Sequence, residues 1–348
     1  MRRFSKFLLS ALLAWGAGTA VAAPADALEV RLSAPTPVLQ GDVDVHLTVT
    51  ITNTGRSPVH LLRWQLPGDE LESALFRITR DGQNVAYTGP LIKRTAPEAA
   101  DQVRIDAGAT LTYQVELTGA YDLVRNGRYT IEFNSKGGHG AKAAQLRSQP
   151  LYLWLEGRTA KVAGGAGAAG GVAAAAGSLS FTGNCSASQQ TALQQAVTAA
   201  TGYANSAVSY LSSAPSATPR YVKWFGAYSS AGWGTAKAHF VNEQSAFTTQ
   251  ALTLDCKCKK SNIYAYVYPT QPYKIYLCGA FWAAPLTGTD SRAGTLIHEM
   301  SHFNVVAGTD DWAYGQSAAA NLALTDPAKA LDNADSHEYF AENTPALP

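Results

Sequence analysis

Residues 162–177 read VAGGAGAAGGVAAAAG, a run with no charge and nothing larger than valine. Such a stretch has no apolar surface worth burying, which makes it a flexible linker. A single continuous core is therefore excluded. The chain must fold as one body before the run and another after it, and 348 residues supply material for about two domains. All four cysteines, Cys185, Cys256, Cys258 and Cys278, lie on the far side.

The expected boundaries are a signal peptide over residues 1–22, a first domain over 23–160, the linker over 161–180 and a second domain over 181–348. Arg2, Arg3 and Lys6 precede the apolar run Phe7–Trp15, and small residues lead to Ala20-Val21-Ala22. This is the layout of a secretory signal, with cleavage expected after Ala22. The run is shorter than the ~20 residues that a helix needs to cross a bilayer. No later stretch is long and apolar enough to cross one. The expectation is a secreted, extracellular product that makes no membrane contact after signal removal, in a compartment where disulfides persist. With 27 Lys and Arg against 26 Asp and Glu, the formal charge is +1, and no basic block suits a nucleic-acid partner. Nothing calls for an oligomer, so a monomer is expected.

From Leu28 to about Glu156 polar and apolar residues alternate, as in Val43–Ile51 and Thr110–Leu117. Period two means strands with one wet face. Turn signals at Asn53-Thr54-Gly55, Asp81-Gly82, Asp106-Ala107-Gly108 and Asn126-Gly127 divide them. Roughly seven short strands in about 130 residues predict an all-β, immunoglobulin-like antiparallel sandwich. Beyond the linker the pattern is α+β and mostly helical. Ser186 with Gln189 three residues on is a capping-box signal for a long helix to about Leu211. A hairpin is expected over Tyr264–Leu277, and helices over Ser291–Val306 and Ala328–Glu342.

One of those helices contains His298-Glu299-Met300-Ser301-His302. Two His four positions apart share a helix face and can reach one metal, with Glu299 beside them as a candidate general base. Leu296, Ile297, Phe303 and Val305 give the helix a buried look, where unpaired His and Glu would be costly without an ion. A catalytic zinc takes three protein ligands and a water. Position 308, six after His302, is Gly308, and no Glu occurs between His302 and Glu338. The chain runs on instead through Gly308-Thr309-Asp310-Asp311-Trp312-Ala313-Tyr314-Gly315. A glycine turn there would return a carboxylate to the site with hardly any loop.

H-E-x-x-H, then G-T-x-D-x-x-Y-G, resembles the aspzincin metalloendopeptidases, the deuterolysin and peptidyl-lysine endopeptidase group, over about residues 181–348. The resemblance implies a zincin-type catalytic domain with one Zn²⁺ held by His298, His302 and Asp311. It also implies catalytic roles for Glu299, as general base, and Tyr314, as oxyanion donor, while Asp310 stands at a variable position. Asn333–Asn343 is similar to a stretch of the peptidyl-lysine branch, in which an Asp and a Glu, here Asp335 and Glu338, hold the lysine just after the scissile bond. On a helix, i and i+3 share a face, so two carboxylates there can share one ammonium. His337 replaces an aromatic residue of that branch. The cysteine order is similar too, and implies Cys185–Cys256 and Cys258–Cys278.

The expected function is a secreted zinc endopeptidase made as a zymogen, acting on proteins or peptides with a preference for Lys after the cut. Similar bacterial aspzincins are secreted preproenzymes, and the first domain would be the propeptide, an intramolecular inhibitor or chaperone. Lys161 opens the linker, so self-processing between Ala160 and Lys161 is expected. The competing expectation is a secreted binding or adhesion protein whose sandwich stays attached to a zinc domain of little activity.

Overall fold

The computed structural model describes residues 28–68, 70–135, 146–159 and 177–348. The signal segment, the processing pair Ala160–Lys161 and most of the linker lie outside the described residues.

The first half contributes β1 (Leu28–Ser33), β2 (Val38–Gln40), β3 (His46–Asn53), β4 (Val59–Leu62), β5 (Phe76–Arg80), β6 (Gln83–Asn84), β7 (Leu91–Arg94), β8 (Gln102–Ile105), β9 (Thr110–Glu116), β10 (Gly127–Ser135), β11 (Leu146–Arg147) and β12 (Leu151–Glu156). One sheet runs β1-β3-β9; another runs β2-β12-β10-β5-β6, with β11 on β10. Their inward residues, among them Leu47, Val49 and Ile51 from β3 and Tyr129, Ile131 and Phe133 from β10, share one core. Each such side chain contributes roughly 1.5–3 kcal/mol by leaving water. Alternation in β10, buried at every second residue, is the period-two signal made physical. Asp81 and Gly82 both have positive φ and close the two-residue β5–β6 turn.

The second half contains β13 (Leu179–Thr182), α1 (Ala187–Leu211), α2 (Pro219–Phe225), α3 (Ser230–Thr249), β14 (Leu252–Asp255), β15 (Ile263–Val267), β16 (Lys274–Leu277), α4 (Gly279–Ala283), α5 (Arg292–Ser301), α6 (Gln316–Thr325), α7 (Pro327–Leu331) and α8 (Ala334–Glu342). β13 begins inside the stretch 161–180 read as linker, because Leu179 to Thr182 pair in parallel with Leu252 to Asp255. Ser186 caps α1 with the reciprocal Gln189 bond, and Leu193, Ala196, Ala200, Ala204, Ala207 and Leu211 line its buried stripe. Disulfides join Cys185 to Cys256 and Cys258 to Cys278. Among the described residues no helix is long and apolar enough to cross a membrane.

The sheet of the second half runs β13-β14-β16-β15-β7, so its edge strand comes from the first half. β7 pairs antiparallel with β15, Ile92 opposite Tyr266 and Lys93 opposite Ala265. All four of its residues are buried. An edge strand left open is a row of unpaired N–H and C=O groups, and β7 satisfies it.

Candidate active site

Helix α5 is capped by Ser291, whose hydroxyl accepts the Gly294 N–H at 2.9 Å. The apolar pattern predicts a helix to Val306, but it stops at Ser301 and His302 takes the cap position. Gly308, at φ +64°, lets the chain double back, and Thr309 N–H donates to the Ser301 carbonyl at 3.1 Å. This reversal brings the Thr309 carbonyl to accept a hydrogen bond from His302 Nδ1 at 2.7 Å. It also carries Asp311 alongside both imidazoles.

His298 Nε2 and His302 Nε2 are 3.1 Å apart, and Asp311 Oδ1 lies 3.2 Å from the first and 3.4 Å from the second. Ligand atoms bound at ~2.0–2.1 Å around a tetrahedral ion stand roughly 3.3 Å from one another. The triangle therefore fits zinc. The remaining nitrogen of each ring faces an oxygen, that of Thr309 for His302 and Asp335 Oδ1, at 2.8 Å, for His298. Oxygen partners of this kind fix ring orientation in metal sites. A second grouping, His298 with Asp335 and Glu338, could also reach a metal by distance, but a lysine ammonium lies against it.

Glu299 is fully buried, and among the described residues neither carboxylate oxygen has a hydrogen-bond partner. Burial pushes its acid up to about 7, against the pull of His298 and His302. A desolvated carboxylate beside a metal triangle is suited to taking a proton from water. Tyr314 donates its hydroxyl to the Ile92 carbonyl at 3.1 Å, and burial, then Asp311, keeps that hydroxyl protonated. Asp310 is half-buried, and its backbone pairs with Asp332 and Ala334.

The segment from Ala328 to Glu342, expected as one helix, is two. Between α7 and α8, Asn333 turns its side-chain oxygen to the N–H groups of Trp312 and Ala313, each at 2.9 Å. The break ties the loop bearing Asp311 and Tyr314 to α8. On α8, Asp335 Oδ1 and Glu338 Oε2 lie 3.4 and 2.5 Å from the ammonium of Lys93, the β7 residue. Asp290 Oδ1 completes the surround at 3.5 Å, and the rings of Tyr264 and Tyr339 flank it at 5.2 and 5.8 Å from their centroids. Burial alone would depress the lysine; three carboxylates outweigh it and hold Lys93 well above its ordinary value. Asp335 falls to about 2, where Lys93 and His298 overcome burial, whereas burial leaves Glu338 raised.

Asp290 and Tyr264 carry no motif that the sequence singles out, and Tyr339 lies in the Asn333–Asn343 stretch with no role of its own assigned there. Asp290 stands at φ +51°, held by the Tyr339 hydroxyl at 2.7 Å and by its own N–H, which donates to Glu342 at 3.2 Å. A Cβ on Gly294 would collide with the Glu342 carboxylate, so glycine there leaves room for Glu342 to reach Asp290 and Ser291. The signal that could have found Asp290 is an acidic residue immediately before the Ser291 cap. His337 is not in the pocket wall: its ring packs on Phe225, Phe240 and His239, and its Nδ1 faces the Asn333 carbonyl at 3.0 Å. The i, i+3 pair points one way and the residue between them another.

A sequence model of one protein family, described as lysine-specific metallo-endopeptidase, matches residues 210–342. The chain is 48% identical over 327 residues to an extracellular protease of Aeromonas hydrophila, covering 92% of this chain and 93% of that one. The chain belongs to the aspzincin metalloendopeptidases. This aspzincin is therefore a metal-dependent endopeptidase of proteins or peptides. It is also 36% identical over 334 residues to the peptidyl-Lys metalloendopeptidase of Grifola frondosa, again covering 92% and 93%. A solved zinc peptidase from Grifola frondosa is 49% identical, covers 47% of this chain and 100% of its own, and has a TM-score of 0.45.

Proposed function

We propose that this aspzincin is a secreted zinc endopeptidase made as a zymogen, cutting before lysine. One Zn²⁺ per chain would be held by His298, His302 and Asp311, and would supply Lewis acidity toward water and the scissile carbonyl. Glu299 takes the proton of the attacking water and delivers it to the leaving amine. Tyr314 donates to the oxygen on which charge develops. Asp335, Glu338 and Asp290 take the ammonium of the residue after the cut. The single observation that carries the preference is a lysine, Lys93, buried among those three carboxylates.

The N-terminal β-rich region, residues 23–160, is the pro-domain of this reading, an immunoglobulin-like sandwich whose β7 lies across the cleft. Beside β7 a cavity of about 840 Å³ separates Trp64, Glu72 and Leu91 from Asp311, Trp312 and Tyr314. With β7 in place a protein substrate cannot pair with β15, which supports inhibition. Intact Glu299 and Tyr314 count against the rival reading of a binding protein on an inactive zinc domain. The test is casein hydrolysis by precursor and processed protein, with and without chelator. Activity confined to the processed, metal-loaded form is expected; equal activity of the intact precursor would sink the zymogen reading.

A further inference from the structure

We propose that the Ile92–Lys93 peptide bond is a built-in processing site, presented to the active centre as a substrate by the chain's own β7. The proposal rests on the proposed function, in which Glu299 and Tyr314 act on the bond before lysine. β7 enters in extended form, antiparallel to β15. Its Lys93 ammonium is 2.5 Å from Glu338. The residue before it has its carbonyl oxygen 3.1 Å from the Tyr314 hydroxyl, and its N–H donates to Asp311 Oδ2 at 3.2 Å. The lysine side chain, the carbonyl of the bond before it and the N–H of the residue that carries this carbonyl are thus engaged at the same time. A peptide merely covering the cleft would satisfy the pocket or the hydroxyl, with no reason to register both across one peptide unit.

Hydrolysis here adds the oxygen of one water to the Ile92 carbonyl carbon and breaks the C–N bond. Ile92 is left with a carboxylate and Lys93 with a new α-amine, which receives the proton. Both new ends stay anchored. Arg94 pairs with Glu72 at 3.0 Å, Glu72 pairs with Lys260 of the second half at 2.5 Å, and Thr95 N–H donates to the Asn262 carbonyl at 3.1 Å. On the other side Leu91 remains opposite Val267. The nicked chain holds together until the linker is also opened. The segment expected by sequence reasoning at Ala160–Lys161 would then be a second cut, the one that allows the β-rich half to leave.

The test tracks zinc-loaded full chain after secretion, by intact mass and N-terminal sequencing. A parallel incubation presents full-length Glu299→Gln to a catalytic amount of processed wild type. The expected product is a chain beginning Lys93-Arg94-Thr95, appearing in the wild type and absent from the Glu299→Gln protein with or without added processed enzyme, because Lys93 is buried in its own chain's cleft; release of that end from Glu299→Gln by added enzyme alone would overturn cutting within the chain. Lys93→Gln should lose that product while still being cut at other lysines. If the wild type matures with residues 28–156 recovered as one unbroken chain, and casein is cut before lysine, the proposal fails and the proposed function stands. If casein is cut without regard to lysine, the lysine preference fails and takes the proposal with it.

Discussion

The cleft is assembled from two regions that differ in how far its residues travel. The triangle of His298, His302 and Asp311, with Glu299 and Tyr314, comes from residues 298–314, a helix and its return loop, and α8 lies shortly beyond. The strand that fills the cleft comes from residues 91–94, and its Lys93 stands 245 positions before Glu338. Local residues give a sequence pattern; the distant strand gives none. Leu91-Ile92-Lys93-Arg94 carries two cations and reads as an ordinary wet strand, yet it is buried throughout because each cation meets carboxylates in the fold. Charge burial of that kind is tolerable only when paired.

The two regions can be separated by substitution, beginning with the metal end. Glu299→Ala should keep its metal and lose hydrolysis by about 10²–10⁴-fold or more, since proton transfer is removed while the triangle is untouched. Metal analysis alongside a peptide assay checks both halves of that statement. Asp311→Ala should lose activity to a similar degree by another route, with metal released on dialysis. At the lysine end, Glu338→Gln should lower kcat/KM on lysine peptides by roughly 10²-fold, in the range of a lost buried charge pair, about 3–5 kcal/mol being the upper bound. Asp290→Asn, farther from the ammonium at 3.5 Å, should cost less, about tenfold. The same two variants should loosen the β-rich half, seen as faster proteolysis of residues 28–156.

The smallest effect concerns pH. Burial and neighbouring His239 push His337 down to about 3, so the native state holds fewer protons there than the unfolded chain. Stability contributed by this neutral imidazole is therefore lost as pH falls from about 6.5 toward 3. His337→Phe, which keeps the ring packing on Phe225 and Phe240, should make the fall in Tm over that window shallower. An unchanged slope would assign the acid sensitivity to other groups.

Much of the C-terminal half was legible because its patterns are local. The capping box at Ser186–Gln189, the Gly308 reversal and the Asp335–Glu338 spacing are all set within a few residues. What escaped was tertiary. The stop of α5 at Ser301 and the break at Asp332-Asn333 depend on hydrogen bonds to the 309–313 loop, which apolar periodicity does not register. Asp290 and Tyr264 join the lysine pocket from a turn and a strand with no motif of their own. Lys161 stands out by the change of composition at the linker, whereas Lys93 is set apart by its partners alone.

One acidic pocket, in the proposed function, selects lysine first in the chain's own β7 and then in substrates. The most direct measurement is the map of bonds cut by processed enzyme in a denatured protein, for the wild type and Glu338→Gln. Wild-type cuts should cluster immediately before lysine, with clustering weakened in the variant. Cuts spread without regard to lysine in the wild type, or an identical map from Glu338→Gln, would contradict that selection.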